Sequence, residues 1–144
     1  MAAMPHKVIR ALTQVYQRDG LTFATTLEVY RTSEHQFLGG RYIRRQTYFV
    51  SYCGGRIYFL NAAPETRFIM MIFYPETIPT FDFLHGRVMS VSDIGSRKIF
   101  QIPIALQRLG NSRVTKSKLD ACGIFDYDSP EIDEEVRKRI DLEW

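Results

Sequence analysis

The pair Gly54-Gly55 constrains this chain more than any other two residues. Both central residues of a type I′ turn need positive φ, which glycine adopts without strain. A phosphate-binding loop would instead need a helix directly after its glycines. Here the residues on either side are aromatic and β-branched, which makes a hairpin. With the turn at 54–55, Cys53 pairs with Arg56, Tyr52 with Ile57, Ser51 with Tyr58 and Val50 with Phe59. Val50, Tyr52, Ile57 and Phe59 then share one apolar face. The earlier Gly39-Gly40-Arg41 opens the strand onto which this hairpin folds back.

The same two-residue period marks other strands. In Leu21–Arg31, Leu21, Phe23, Leu27 and Val29 share one face, and Thr22, Thr26 and Glu28 the other. Tyr42–Cys53, Arg56–Asn61, Arg67–Tyr74, Phe81–Val91 and Arg97–Ala105 follow, each bounded by Gly, Pro, Asn or Asp. The run FIMMIFY, Phe68–Tyr74, has no polar face and predicts a central strand covered on both sides. Helical spacing marks the two ends. Val8, Leu12, Val15 and Tyr16 fall at i, i+4, i+7 and i+8, predicting a helix over Pro5–Gly20 that Asp19-Gly20 stops. Asn111-Ser112 caps a helix through Cys122, closed by Gly123. Ser129-Pro130 opens a second helix over about 129–144, with Ile132, Val136, Ile140 and Trp144 every four residues. Acidic Glu131, Asp133, Glu134 and Glu135 lead it, and Arg137, Lys138 and Arg139 follow, the order a helix dipole favours. The expected fold is one α+β domain over residues 1–144. It is mainly an antiparallel sheet or sandwich of about six strands, with an N-terminal helix and two C-terminal helices.

With 144 residues, 45% of them hydrophobic, the chain can bury a proper core. No run reaches the 18 or so apolar residues of a membrane-spanning helix. MAAMPHKVIRAL lacks the apolar stretch of a signal peptide, so a protein that is not secreted is expected. Two isolated cysteines, Cys53 and Cys122, suit a reducing compartment and lack zinc-site spacing. The net charge of +3 hides an asymmetry. Met1–Lys118 carries 16 Lys/Arg against 7 Asp/Glu, and Leu119–Trp144 carries 3 against 9. A basic body with an acidic end implies an anionic partner, unless the end folds back and neutralises the body.

No catalytic or nucleotide-binding motif is present, and neither an enzyme, a cofactor nor a metal is expected. His6, His35 and His85 lack partners at ligand spacing, and His85 shares a strand face with Phe83 and Met89, as a packed histidine would. The candidate site residues are therefore basic. Arg41, Arg44 and Arg45 interleave with Tyr42 and Tyr48, a mixture that suits phosphate contact and base stacking. Arg56 follows the turn, Arg97 and Lys98 form a second group, and Arg108, Arg113, Lys116 and Lys118 a third, of which Arg113, Lys116 and Lys118 join the candidate site. Single-stranded RNA and anionic lipid head groups are the partners this chemistry fits. A merely solvated sheet end is the bland alternative.

"LEVYRTSEHQFL" (Leu27–Leu38) and "FDFLHGRVMSVSDIGSRKIFQIPIALQRLGNSRVTKSKLDACGIFDY" (Phe81–Tyr127) resemble the small matrix proteins of non-segmented negative-strand RNA viruses, the bornavirus type in particular. The shared features are an LE-plus-aliphatic strand ending near QFL, a DFL opening, an SVS turn, an RK pair entering an apolar strand, and a short helix ending in an aromatic pair. The first helix and the acidic last helix ending in Trp144 lie outside this pattern. The resemblance implies a non-enzymatic homo-oligomer, often a tetramer. Such a protein works in the host cytoplasm, at the inner face of the membrane or virion envelope, and binds RNA or nucleocapsid. Two other readings remain open. One is a soluble RNA- or protein-binding accessory module, such as a silencing suppressor. The other is a small-molecule enzyme with a pocket beside His85.

Overall fold

In this computed structural model, residues 7–30, 42–61, 68–75, 82–91, 98–110 and 113–141 are described. The chain is mainly antiparallel sheet: β1 (Lys7–Arg10), β2 (Leu12–Arg18), β3 (Leu21–Tyr30), β4 (Tyr42–Cys53), β5 (Arg56–Asn61), β6 (Ile69–Pro75), β7 (Phe83–Val91), β8 (Ile99–Gln107) and β9 (Gly123–Asp126). Two short helices, α1 (Lys116–Asp120) and α2 (Glu134–Ile140), complete it. Strands β2 to β8 form one seven-stranded meander in sequence order, and β1 pairs with β9 in a separate ribbon.

The hairpin at Gly54-Gly55 takes the expected register, from Cys53↔Arg56 to Val50↔Phe59. Both glycines have positive φ, 59° and 77°. The N-terminal helix is corrected to strands. Asp19 and Gly20 have φ of 52° and 78°, the same kind of turn, and join β2 to β3 with Arg18 opposite Leu21. An Asp-Gly pair is a hairpin turn as readily as a helix stop. Val15 and Tyr16, adjacent residues placed together by helical spacing, therefore point to opposite faces. With β1, β2 and β9 added, the count of about six strands becomes nine.

Both C-terminal helices are shorter than expected. α1 is capped by Thr115, whose side chain accepts from the Lys118 amide, and Gly123 begins a strand instead of only closing a helix. In α2 the cap is Asp133, accepting from the Glu135 amide at 2.8 Å. Ser129 instead holds a turn in which the Ile132 amide donates to its carbonyl at 3.1 Å. The proposed cap Asn111-Ser112 and the terminal Trp144 lie outside the described residues.

One face of the meander carries the core: Ala24, Tyr48, Phe59, Ile69, Met71 and Phe73 are buried there, with Val50, Ile57, Leu84, Val88, Ile104 and Leu106 against them. The register places all twelve on the same side. Since no second large sheet among the described residues covers that side, the meander must curl around it. The chain ends bear this out. Arg10, just before β2, donates to the Glu131 carbonyl, while α2, three residues further on, packs against β7 and β8. First and last strands thus lie near one segment, although they exchange no hydrogen bonds. Gly86 permits the tight β6–β7 approach, since a Cβ there would fall 1.8 Å from the Ile72 carbonyl oxygen. FIMMIFY is flanked by strands on both edges. Its inner residues Ile69, Met71 and Phe73 are buried, but outer Met70, Ile72 and Tyr74 are only half-buried.

A candidate anion-binding face

Strand parity decides which cations can act together. Arg44 and Arg45 are neighbours in sequence and so split. Arg44 points to the inner side, opposite Glu28, and Arg45 points outward, opposite Leu27. Arg56 also points outward. Its guanidinium lies 4.9 Å from the centre of the Tyr74 ring, and Tyr74 stacks on His85 at 6.3 Å. His85 is therefore a stacked member of the outer face, on the same side as Phe83 and Met89. Lys98, Arg113 and Lys116 are exposed, and Lys118 is half-buried with its Nζ donating to the Arg113 carbonyl at 3.2 Å. Arg41 and Arg97 lie outside the described residues.

The register adds two outward arginines that sequence reasoning passed over, Arg18 and Arg87. Arg87 could have been found by parity, being two residues from His85. Arg18 was hidden by the helix assignment. Together, Arg18, Arg45, Arg56 and Arg87 are the cations of the outer face of β2–β8, and no outward position in these strands holds Asp or Glu. The single carboxylate of the seven strands, Glu28, faces inward and accepts from the Tyr30 hydroxyl. Arg18, Arg44, Arg45 and Arg56 have no carboxylate partner among the described residues.

Apolar side chains lie between these cations. Tyr16, Phe23, Phe49, Leu60, Met70 and Met89 follow one another across six strands as cross-strand partners. Tyr16 stacks on Phe23 at 5.8 Å and Phe23 meets Phe49 at 5.2 Å, while Phe49 remains 44% exposed. An apolar belt left in water on a basic surface marks a place where something binds.

The acidic end behaves differently. Its carboxylates pair with cations of β1 and of their own helix: Asp126 with Lys7, Glu131 with Arg10, Glu134 with Arg137, and Glu135 with Lys138 and Arg139. α2 does fold back on the sheet, but it presents a cation there, with the Arg139 guanidinium 3.8 Å from the centre of the Phe83 ring. Outward Arg18, Arg45 and Arg56 are therefore not neutralised by these carboxylates. Among the described residues no group of His, Cys, Asp and Glu is arranged to hold a metal, and no helix is long and apolar enough to cross a membrane. No protein-family model, curated protein or solved structure matches the chain.

Proposed function

We propose that this protein is a non-enzymatic, matrix-type structural protein that self-assembles and binds RNA or nucleocapsid and anionic membrane surfaces through its arginines. The observation that carries the reading is the outer sheet face, where Arg18, Arg45 and Arg56 have no carboxylate partner among the described residues and lie beside an apolar belt. Phosphodiesters of RNA and of lipid head groups attract the same cations, and guanidinium suits both. The Arg56–Tyr74–His85 stack adds a platform of the kind that single-stranded bases use. Self-assembly is supported by the edges β2 and β8, which pair with no further strand among the described residues and where Val15 and Ile102, on the core side, are 57% and 43% exposed. Open edges with apolar residues favour pairing with another copy.

Co-sedimentation with anionic vesicles and titration with single-stranded RNA test the reading. Affinity for both should fall steeply between about 50 and 200 mM salt. Arg18→Glu with Arg56→Glu should make the RNA salt slope shallower by about 1.4, two phosphate contacts at about 0.7 each. Lys138→Glu on α2 should leave the slope unchanged. Salt-independent affinity, or equal effects of sheet and helix variants, would remove the proposal. Light scattering separates assembly from a soluble accessory module: a discrete monomer or dimer that ignores vesicles favours the module.

A further inference from the structure

α1 and the residues before it overhang the outer face of β2–β4 and leave a cleft of about 510 Å³. That volume lies within the range of small-ligand sites, roughly 300–1,000 Å³. Five aliphatic side chains line it: Leu12, Leu27 and Ile43 from the sheet, Val114 and Leu119 from above. Tyr16 and Thr25 supply hydroxyls, but these already bond each other at 3.1 Å, and Thr25 contacts Thr47 at 3.3 Å. The hydroxyls of the polar wall are thus self-satisfied, and exposed Gln14 adds one side-chain amide. Arg45 lines the same cleft with no carboxylate partner among the described residues, and exposed Arg113 and Lys116 sit on the overhanging segment.

An aliphatic cleft with satisfied hydroxyls offers little to a sugar or nucleobase, which needs several free donors and acceptors. It offers a dry wall to an alkyl chain and an uncompensated guanidinium to an anionic head. We infer that this cleft holds one alkyl chain of an anionic, phosphate-headed lipid, with the head group on Arg45. This rests on the membrane arm of the proposed function and assigns that arm a specific site within the outer face.

Titration of the full chain with dodecyl phosphate below its micelle concentration tests it, followed by calorimetry and amide chemical shifts. Shifts should concentrate in β2–β4 and α1. Affinity should rise from octyl to dodecyl phosphate by up to about fourfold per methylene. Arg45→Gln, a surface change, should weaken dodecyl phosphate at least tenfold, and Val114→Trp, which fills the cleft from its rim, should abolish binding. Inorganic phosphate binding equally well, or dodecyl maltoside doing so, or an unchanged Arg45→Gln, would overturn the site. If dodecyl phosphate fails while vesicles and RNA still bind, the cleft assignment alone falls. If it binds while vesicles and RNA do not, the cleft stands and the matrix reading falls.

Discussion

The seven-stranded sheet and the C-terminal segment that wraps it are built from opposite electrostatics. Strands β2–β8 contain five arginines, no lysine and one carboxylate, so their cohesion comes from burial and backbone pairing. The segment from Gly123 to Asp141 buries little beyond Ile132, Gly123 itself and the neighbouring Cys122, and holds itself with ion pairs and capping bonds. Exposed ion pairs stabilise by only about 0.2–1 kcal/mol each. The sheet can therefore leave Arg18, Arg45 and Arg56 without carboxylates, open to a partner, and the wrap cannot.

The largest test of this contrast is Phe73→Ala. Phe73 is fully buried among Phe59 and Gly86 on β5–β7, with the Phe59 ring 5.0 Å away. Truncation should cost about 3–5 kcal/mol in denaturant unfolding, and the wrap should be lost with the sheet in one transition. A first transition that releases the sheet and leaves the wrap folded would invert the assignment of which part supports the other.

Two turns of one geometry explain what the sequence did and did not make legible. Gly54-Gly55 was readable because a glycine pair between aromatic and β-branched flanks makes a two-residue hairpin, and the register followed to the residue. Asp19-Gly20 forms the same turn, but Val8, Leu12, Val15 and Tyr16 also fit a helical face, and tertiary pairing with β3 overrode that spacing. β9 is four residues long and exists only because β1 is there to pair with it, a long-range fact with no local mark. The site was half legible. Clusters of arginine are visible in sequence, whereas their division between faces needs strand parity. The absence of outward carboxylates emerges only after every strand is in register.

Arg10, on β1 just before β2, ties the wrap to the chain that enters the sheet, so Arg10→Ala should come next in effect. Its Nε donates to the Ala121 carbonyl at 2.6 Å and a terminal nitrogen donates to that of Glu131 at 2.7 Å. The guanidinium also lies 4.4 Å from the centre of the Phe125 ring. Charged hydrogen bonds contribute about 1.5–3 kcal/mol each, less where water competes, so a loss of about 2 kcal/mol is expected. Amide exchange should accelerate in β9 and α2 while β4–β6 stay protected. Uniform acceleration would mean that sheet and wrap are one cooperative unit. Gly55→Ala is the complementary, smaller change. Its φ of 77° penalises any side chain by about 1–2 kcal/mol, and that loss should appear in β4 and β5 without loosening the wrap.

Acidity and alkalinity should separate the two regions by the gentlest means. Hydrogen bonds from Arg139 and then Lys138 hold the Glu135 carboxyl below its ordinary range. A carboxylate with a depressed folded pKa contributes stability above its unfolded value, near 4.3, and loses it as pH falls through the folded one. Tyr127 shifts the other way. Its hydrogen bond to Asp141 raises the phenol above the ordinary tyrosine value of about 10. That contribution is complete below the unfolded value and disappears as pH rises through the folded one. The wrap therefore loses support at both extremes, while the sheet has Glu28 as its single carboxylate. Exchange protection of residues 134–141 should fall below about pH 4 with β4–β6 unchanged. Tyr127→Phe should abolish the alkaline loss and leave the acid one intact. Sheet amides opening at the same acid pH as α2 would show that charge supports both regions alike, and the contrast between them would fail.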